Sequence, residues 1–237
     1  MSGHRDVGVV LPCAGIGTRV GADRPKQFLD VGGRPIFLWS LETFLALERV
    51  REIVLVVGAG EEAAVRAMLS PVALQALDNG RLRTALGGSE RWQSVRNGVQ
   101  VLDAACRLVL VHDVARPFLR PEDIERGCAA LETEVAMTLA MPATDTIKWA
   151  TSAGDRVETT LDRRRVWLTQ TPQGFRREAL EGCYARPDLE TMGLTDEAGL
   201  LETCGQAVAL VKGGDHLRKI TLPEDLAWAR WQATLQR

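Results

Sequence analysis

The chain has 237 residues, and its 29 basic and 31 acidic residues give a formal net charge of −2. This length fits one large domain, which we expect to span residues 1–237, and the near-neutral charge argues against general nucleic-acid binding. The five cysteines form no Cys-x-x-Cys pair, which argues against a zinc site and favours a reducing compartment. Because the polar start leads directly into a predicted strand, we expect no signal peptide, no membrane span and a cytoplasmic protein.

Short apolar runs alternate with amphipathic segments over the first two thirds of the chain. The predicted strands are residues 7–11, 52–57, 83–86, 107–111 and 135–141. The predicted helices are residues 36–47, 61–69, 91–102 and 121–131. This alternation predicts an α/β fold with a mostly parallel sheet, in which ligands bind beyond the carboxyl ends of the strands.

The alternation breaks at about residues 144–165, where two short alternating segments, 146–150 and 156–160, flank a Ser-Ala-Gly-Asp turn. This pattern predicts a β-hairpin. An isolated hairpin is only marginally stable in water, so we expect this β-arm to pack on a second subunit. Beyond it, the sequence predicts a strand at 166–169, helices near 176–184 and 196–204, a strand at 207–211 and a last helix from Pro223.

The first candidate site is the loop after the first predicted strand, which reads Pro-Cys-Ala-Gly-Ile-Gly-Thr-Arg at residues 12–19 and continues to Lys26. Its small residues let the backbone approach a ligand, and Arg19 and Lys26 add two cations. Exposed backbone amides and fixed cations together are typical of a polyphosphate site. The loop lacks the Gly-Lys pair of a Walker loop and the third glycine of a dinucleotide fingerprint. An NAD site and a plain glycine turn stay open as alternatives.

The second candidate is Asp113, which follows the predicted strand 107–111 and should lie at the same sheet edge as the first loop. A carboxylate there can hold Mg²⁺, which prefers one or two carboxylates together with phosphate oxygens. The alternative is a cap of the next helix, but that helix is predicted to begin only at Pro121. His112 should point to the other side of the strand and serve the fold.

The third candidate is the Gly-Gly-Ser-Glu-Arg turn at residues 87–91, between a predicted strand and a predicted helix. Ser89 is suited to the N-cap of that helix. The Gly88 backbone and the Ser94 hydroxyl can read the edge of a base. Glycine turns before helices are common, so this motif is weak by itself.

Further polar residues stand next to apolar strands or at predicted helix starts. Thr195 with Glu197, for example, matches a capped helix start. Each of these residues taken alone is more typical of a structural position than of a functional one. They are Thr146, Arg163, Thr171, Thr195, Glu197 and Lys219.

Taken together and in this order, the motifs resemble those of the 2-C-methyl-D-erythritol 4-phosphate cytidylyltransferases over residues 9–226. The matching pieces are P-C-A-G-I-G-T-R, R-P-K-Q-F, G-G-S-E-R-W-Q-S-V, V-H-D-V-A-R-P, T-D-T-I-K, L-D-R, Q-T-P-Q-G-F, L-T-D-E-A and K-I-T-L-P-E-D-L. The resemblance implies a Rossmann-like nucleotidyltransferase fold and a homodimer joined through the β-arm. It also implies CTP and Mg²⁺, a polyol phosphate acceptor, and a place in non-mevalonate isoprenoid biosynthesis.

The resemblance also assigns roles to individual residues. Arg19 and Lys26 match transition-state stabilisers, and Asp113 matches the Mg²⁺ ligand. Arg163, reaching in from the partner subunit, and Lys219 match the residues that position the acceptor phosphate. CTP is expected to bind at Pro12, Cys13, Ala14, Gly15, Gly17, Gly87, Gly88, Ser89, Arg91 and Ser94. The acceptor is expected to bind at Val114, Arg116, Thr146, Thr171 and Thr195.

The implied reaction needs cations more than it needs a base. A phosphate monoester attacks the α-phosphorus of CTP and expels pyrophosphate, and with a second pKa of about 6 this nucleophile is mostly dianionic at neutral pH. Positioning and positive charge then bring the two anions together. Two alternatives stay open. One is a cytidylyltransferase for another polyol phosphate such as ribitol 5-phosphate, and the other is a non-enzymatic regulatory protein, which should have lost Lys26 or Asp113.

Overall fold

A computed structural model describes residues 5–15 and 25–236 of the chain. Its strands are β1 (Val7–Pro12), β2 (Asp30–Val31), β3 (Arg34–Pro35), β4 (Val50–Val57), β5 (Leu82–Leu86), β6 (Leu108–Val111), β7 (Ala136–Pro142), β8 (Lys148–Ala150), β9 (Val157–Thr160), β10 (Trp167–Arg176) and β11 (Val208–Lys212). Its α-helices are α1 (Ile36–Leu45), α2 (Glu62–Met68), α3 (Pro71–Asp78), α4 (Arg91–Val101), α5 (Pro121–Ala130), α6 (Arg177–Tyr184), α7 (Glu197–Thr203) and α8 (Pro223–Thr234). None of these helices combines the length and the apolar character that crossing a membrane requires.

Seven strands form the main sheet, in the order β11–β7–β10–β6–β1–β4–β5. β1 pairs in parallel with β4 and β6, β4 with β5, and β7 with β11. Only β10 among these strands runs antiparallel to its neighbours, β6 and β7. The predicted α/β fold with a mostly parallel sheet is therefore confirmed. The parallel strands bring the loops after β1, β5 and β6 to one edge of the sheet.

Three features differ from the sequence predictions, and one of them is the short antiparallel pair β2–β3, for which no strands were predicted. β10 continues to Arg176, well past the predicted end at residue 169, because residues 173–175 pair with β6 as well as with β7. α3 has no counterpart among the predicted helices. Its start is nevertheless of an ordinary type, since Pro71 begins the helix and the Ser70 hydroxyl accepts a hydrogen bond from the Ala73 N–H at 3.4 Å.

Helices cover both faces of the main sheet. On one face, α1, α3 and α5 share a buried apolar layer with Val9 and Leu11 of β1. On the other face, α4, α6 and α7 share a second layer with Val10 and Val56. Successive residues of β1 therefore enter opposite layers, as the pleat of a strand covered on both sides requires. Packing from both sides fixes the strand ends that carry the loops.

Gly98 lets α4 lie close to the sheet. A Cβ atom at this position would lie 2.5 Å from Val10 Cγ1 and 2.9 Å from Val56 Cγ2. We expect Gly98→Ala to lower the free energy of unfolding by about 1–2 kcal/mol, because overpacking outweighs the gain in helix propensity. Gly182→Ala in α6 is the matched control, since a Cβ there meets nothing within 4 Å and should stabilise the helix by up to about 1 kcal/mol. Urea unfolding of both variants tests this, and equal shifts would contradict the close packing of α4.

β8 and β9 form a separate antiparallel pair, which confirms the predicted hairpin. Every residue of these two strands is exposed in the single chain. Trp149 and Val157 are 59% and 60% exposed, although both are large apolar side chains. The β-arm therefore carries apolar surface that the described part of its own chain leaves uncovered.

Candidate functional site

Two cavities lie at the carboxyl ends of the parallel strands. The large cleft has a volume of about 530 Å³, and the small cavity about 150 Å³. The predicted site residues that line the large cleft are Pro12, Cys13, Ala14, Gly15, Lys26, Gly88, Ser89, Arg91, Ser94, Asp113, Val114 and Lys219. Those that line the small cavity are Arg91, Asp113, Arg116, Thr171, Thr195 and Lys219. Arg91, Asp113 and Lys219 line both and form a wall shared by the two cavities.

A third cavity, of about 680 Å³, lies at the opposite end of the sheet and contains none of the predicted site residues. Its arginines already have partners within the protein. Arg107 pairs with Asp6 at 3.1 Å, and Arg177 donates hydrogen bonds to the carbonyls that end α4, including that of Leu102 at 3.3 Å. Size alone therefore does not make this cavity the functional site.

The loop after β1 is held in place by Gln27, a buried side chain. Its Nε2 donates hydrogen bonds to the carbonyl oxygens of Cys13 at 2.6 Å and Gly15 at 3.0 Å. The Cys13 N–H in turn donates to the Val56 carbonyl at 2.7 Å. Burial raises the pKa of the Cys13 thiol, which is therefore neutral and serves the packing. The loop thus presents a fixed backbone to the large cleft.

The turn after β5 is shaped by Ser94. Its hydroxyl accepts a hydrogen bond from the Gly88 N–H at 3.0 Å and donates one to the Glu90 carbonyl at 3.2 Å. The hydroxyl proton is therefore used within the turn. Ser94 could then contact a nucleotide base only as a hydrogen-bond acceptor, through the remaining lone pair of its oxygen. Gly87 lies behind the cleft lining, where a Cβ would come within 2.5 Å of the Ala14 Cβ. The missing side chain at Gly87 therefore lets the turn after β5 pack against the loop after β1.

The prediction that Ser89 caps α4 is wrong. The helix begins at Arg91, and the residue before it, Glu90, donates its N–H to Gln93 Oε1 at 3.0 Å. The Ser89 hydroxyl donates to the same oxygen at 2.6 Å. The Gln93 side chain therefore caps the start of α4 by accepting both hydrogen bonds, and Ser89 lines the large cleft.

Asp113 lies at the centre of a cluster of positive charge. Its Oδ2 accepts a hydrogen bond from Lys219 Nζ at 2.7 Å, and its Oδ1 accepts from Arg91 Nη2 at 3.2 Å and Nε at 3.4 Å. Arg116 Nε lies 4.0 Å from Oδ2. Burial alone would raise the pKa of Asp113, but these three cations hold it well below its usual range. Asp113 is therefore an ionised carboxylate, and it does not cap α5, which begins at Pro121.

Arg116 and a fourth cation, Lys26, are positioned by carbonyl oxygens. Arg116 donates to the carbonyls of Leu217 at 2.7 Å and Thr169 at 3.2 Å. Lys26 Nζ donates to the carbonyl of Ile220 at 3.1 Å. These bonds fix where the two positive charges lie, Arg116 in the small cavity and Lys26 in the large cleft.

His112 supports Asp113 from behind and lines neither cavity. Its Nε2 lies 3.0 Å from the Arg116 carbonyl and its Nδ1 lies 3.1 Å from Thr171 Oγ1. The Thr171 hydroxyl also accepts the Asp113 N–H at 3.0 Å. Burial lowers the pKa of His112 to about 4, so the ring is neutral at neutral pH. The geometry thus matches the structural role expected for His112.

The structure leaves several predicted residues outside the two cavities. Thr146 and Arg163 belong to the β-arm region and are exposed, and Arg163 Nη1 donates to the Thr144 carbonyl at 2.6 Å. Gly17 and Arg19 lie outside the described residues, so their roles stay predictions. Val114, expected near the acceptor, is buried and lines only the large cleft, although Asp113 and Arg116 on either side of it line the small cavity.

Two buried polar residues near the small cavity were not expected to matter there. Glu197 forms an ion pair with Arg91 at 2.6 Å, although its sequence suggested only a helix start. Gln173 donates to Asp196 Oδ2 at 2.8 Å and accepts from the Ala198 N–H at 3.1 Å, which fixes the start of α7. Both residues belong to motifs quoted in the sequence analysis. No local sequence pattern shows, however, that Glu197 bonds α4 or that Gln173 bonds the start of α7.

Comparisons with known proteins agree over nearly the whole chain. The sequence model of the 2-C-methyl-D-erythritol 4-phosphate cytidylyltransferase (IspD) family matches residues 7–236. The enzyme of that name from Ectopseudomonas mendocina (strain ymp) is 44% identical over 234 residues, covering 97% of this chain and 96% of the relative. A crystal structure of 4-diphosphocytidyl-2C-methyl-D-erythritol synthase from Anaerococcus prevotii DSM 20548 aligns with a TM-score of 0.83 at 29% identity, covering 98% of this chain and 96% of that one. The 2-C-methyl-D-erythritol 4-phosphate cytidylyltransferase structure from Thermus thermophilus aligns with a TM-score of 0.76 at 30% identity, covering 97% of this chain and 99% of that one. The chain belongs to the 2-C-methyl-D-erythritol 4-phosphate cytidylyltransferase family.

Proposed function

We propose that this chain transfers CMP from CTP to 2-C-methyl-D-erythritol 4-phosphate. The products are 4-diphosphocytidyl-2-C-methyl-D-erythritol and pyrophosphate, and the reaction belongs to non-mevalonate isoprenoid biosynthesis. The observation that carries this proposal is the wall of Arg91, Asp113 and Lys219 between the large cleft and the small cavity. Two anionic substrates, one in each cavity, would meet at this wall, where positive charge is concentrated. Relatives named for this activity match the chain over nearly its whole length.

The large cleft suits a nucleoside triphosphate. Gln27 fixes the loop after β1, so the backbone at Ala14 and Gly15 is held open to a ligand. Lys26 and Lys219 line the same cleft and add positive charge. Because charge builds up on the α-phosphorus as the nucleophile attacks, fixed cations here would stabilise the transition state more than the bound substrate.

The small cavity suits the phosphate of the acceptor. Arg116 and Lys219 line it, and the two carbonyls that Arg116 bonds hold its guanidinium in a fixed orientation. The acceptor phosphate is mostly dianionic at neutral pH and attacks without a general base. This agrees with His112, which is buried, neutral and outside both cavities. The protein's contribution is to hold two anions together.

The residues at the wall fit a magnesium ion that is held mainly by the nucleotide. Asp113 is ionised, and its Oδ2, which accepts one hydrogen bond from Lys219, keeps a second lone pair for a metal, whereas Oδ1 already accepts two from Arg91. Among the described residues, no group of three or more His, Cys, Asp or Glu side chains could hold a metal. Mg²⁺ commonly binds through one or two carboxylates plus substrate phosphates. We propose Asp113 as the protein ligand of Mg²⁺, which would neutralise phosphate charge.

The Asp113→Asn variant should need a higher Mg²⁺ concentration for half-maximal activity, because a neutral amide binds a hard cation less well than a carboxylate does. We expect a rise of about tenfold or more. Titrating Mg²⁺ at saturating CTP measures it. Asp6→Asn is the matched control, since Asp6 is similarly buried and pairs with Arg107 at the far end of the sheet. If both variants kept the wild-type magnesium requirement, the proposed ligand role of Asp113 would be wrong.

We further propose that two copies of this single-domain chain form a homodimer through the β-arm. The arm exposes Trp149 and Val157, and Leu168 nearby on β10 is 49% exposed. Burial of such apolar side chains against a partner would stabilise a hairpin that is marginal alone. Arg163 at the base of the arm would then reach the partner's small cavity and hold the acceptor phosphate with its planar fork.

We also propose that the enzyme works in the cytoplasm and binds neither nucleic acid nor membrane. All five cysteines are free thiols, which suits a reducing compartment. The chain's formal net charge of −2 supplies no general attraction for nucleic acid. These features support the proposal together with the family membership.

The proposed activity is tested by measuring pyrophosphate release from CTP with purified protein and Mg²⁺. Methylerythritol phosphate should support turnover, whereas ribitol 5-phosphate and a reaction without acceptor should not. Release that depends equally on both acceptors would refute the proposed acceptor specificity. A complete lack of release with either acceptor would favour a non-enzymatic protein of the same fold.

A further inference from the structure

Glu197 is a buried carboxylate that touches neither cavity. Its side chain is 1% exposed, and it stands at the first residue of α7. Its Oε2 accepts a hydrogen bond from Arg91 Nη1 at 2.6 Å, and its Oε1 lies 3.5 Å from the Tyr184 hydroxyl. Arg91 is therefore its strongest partner, and the hydrogen-bonded path from Glu197 to the cavities runs through Arg91.

Arg91 divides its guanidinium between two carboxylates. Its contact with Glu197 at 2.6 Å is shorter than its contacts with Asp113 at 3.2 and 3.4 Å. Because shorter charge-assisted hydrogen bonds are stronger, Arg91 interacts more strongly with Glu197 than with Asp113. Asp113 keeps a looser contact with Arg91 and a short one, at 2.7 Å, with Lys219.

We propose that Glu197 is a positioning residue that holds Arg91 back from Asp113, so that the Asp113 carboxylate can take a divalent cation together with CTP. This inference rests on the proposed function. Without the charge of Glu197, Arg91 would turn its full charge and fork geometry to Asp113, and a tight bidentate pair would form. That pair would compete with the metal. Glu197 would therefore tune metal binding without being a metal ligand, as outer residues around metal sites commonly do.

A purely stabilising role for this ion pair is the competing explanation. Buried ion pairs contribute little net stability, because desolvating the two charges offsets their attraction. Glutamine has the size of glutamate, and its amide oxygen can still accept a bond from Arg91. The Glu197→Gln variant should fold, because Arg91 keeps Asp113 as a charged partner, and it removes the charge that competes with Asp113 for Arg91.

Glu52 supplies a matched control at the other end of the sheet. It is also buried and paired with an arginine, Arg83, at 3.2 Å, and it accepts the Asp103 N–H at 2.5 Å. It lines neither the large cleft nor the small cavity. Glu52→Gln removes the same charge from a similar setting, so it reports the structural effect of the substitution alone.

The test is equilibrium binding of CTP by calorimetry, without acceptor, at a series of Mg²⁺ concentrations. We expect Glu197→Gln to raise the Mg²⁺ concentration that gives half of the full increase in CTP affinity by about tenfold or more, and Glu52→Gln to leave it unchanged. In an Arg91→Gln background, Glu197→Gln should have no further effect, because the competing guanidinium is gone. Glu197→Asp replaces Glu197→Gln if the latter does not fold, since the shorter side chain also loosens the contact with Arg91.

The possible results separate this inference from the proposed function. If wild-type CTP binding does not respond to Mg²⁺, the proposed metal site at Asp113 fails, and the inference fails with it. If the wild type responds and Glu197→Gln behaves identically, only the role of Glu197 is overturned. The role of Glu197 would also be overturned if Glu197→Gln raised the half-effective Mg²⁺ concentration equally in the wild-type and Arg91→Gln backgrounds, because the effect would then not pass through Arg91.

Discussion

Replacing Lys26 with alanine should lower the turnover number of the enzyme by about 10²–10³-fold while weakening CTP binding far less. Lys26 lines the large cleft, and its Nζ is oriented by the Ile220 carbonyl. A cation fixed in this way acts mainly on charge that develops in the transition state, and its loss therefore appears in the rate more than in ground-state binding. Steady-state kinetics and CTP calorimetry on the same preparation separate the two effects.

Lys212→Ala is the control for Lys26→Ala. Lys212 ends β11 and lines neither cavity, so its removal takes one positive charge from the chain without touching the site. We expect this variant to keep the wild-type rate and affinity. A Lys26→Ala enzyme with near-normal turnover, or one in which affinity and rate fell together, would contradict the assignment of Lys26 to the transition state.

Replacing Arg163 with alanine should also nearly abolish activity, although Arg163 lies outside both cavities of its own chain. In the single chain it is exposed, and the one hydrogen bond described for its side chain goes to the Thr144 carbonyl. In the proposed dimer it would bind the acceptor phosphate of the partner as a bidentate fork, which lysine cannot reproduce. Arg163→Lys should therefore recover little of the lost rate.

Mixed dimers test the action across the subunit interface. A dimer of one Arg163→Ala chain and one Lys26→Ala chain has one site with both defects and one intact site. With random exchange about half of the dimers are mixed, so recovered activity should approach about a quarter of wild type. Size-exclusion chromatography of differently tagged chains shows whether exchange has occurred.

Arg164→Ala is the matched control on the arm. Arg164 is the next residue, and it pairs with Asp162 at 2.8 Å on the exposed surface. Its loss should leave activity close to wild type, which separates a specific role of Arg163 from general loss of charge. If the mixed dimers stayed inactive after proven exchange, Arg163 would act in its own subunit or not at all.

Most of the elements around the site could be predicted because their sequence patterns are local. α4 begins at Arg91, as its apolar periodicity predicts, and α5 begins at Pro121, as its periodicity and the proline predict. β10 could not be predicted at its full length. Beyond the predicted end at residue 169 it contains Gln170, Thr171 and Gln173, and from Gln173 onward it pairs with both β6 and β7. Such pairing depends on distant residues.

The sequence predicted which residues gather at the site, but it did not predict the hydrogen bonds and ion pairs that connect them. The motifs place the loop after β1, the turn after β5 and Asp113 at one sheet edge, and the structure brings them together. Sequence could not show that Gln27 fixes the first loop or that Glu197 holds Arg91, because each bond joins residues from different elements. In the proposed dimer the place of Arg163 depends on a second chain, which no pattern within one chain positions.

The most direct test of the proposed chemistry follows the oxygen atoms of the acceptor. Methylerythritol phosphate labelled with ¹⁸O at its non-bridging phosphate oxygens is incubated with CTP, Mg²⁺ and the enzyme, and the products are separated and weighed by mass spectrometry. If the acceptor phosphate attacks the α-phosphorus of CTP, all of the label is found in the diphosphocytidyl product and the released pyrophosphate carries none. Label in the pyrophosphate, or CMP released without a diphosphate ester, would contradict the proposed reaction.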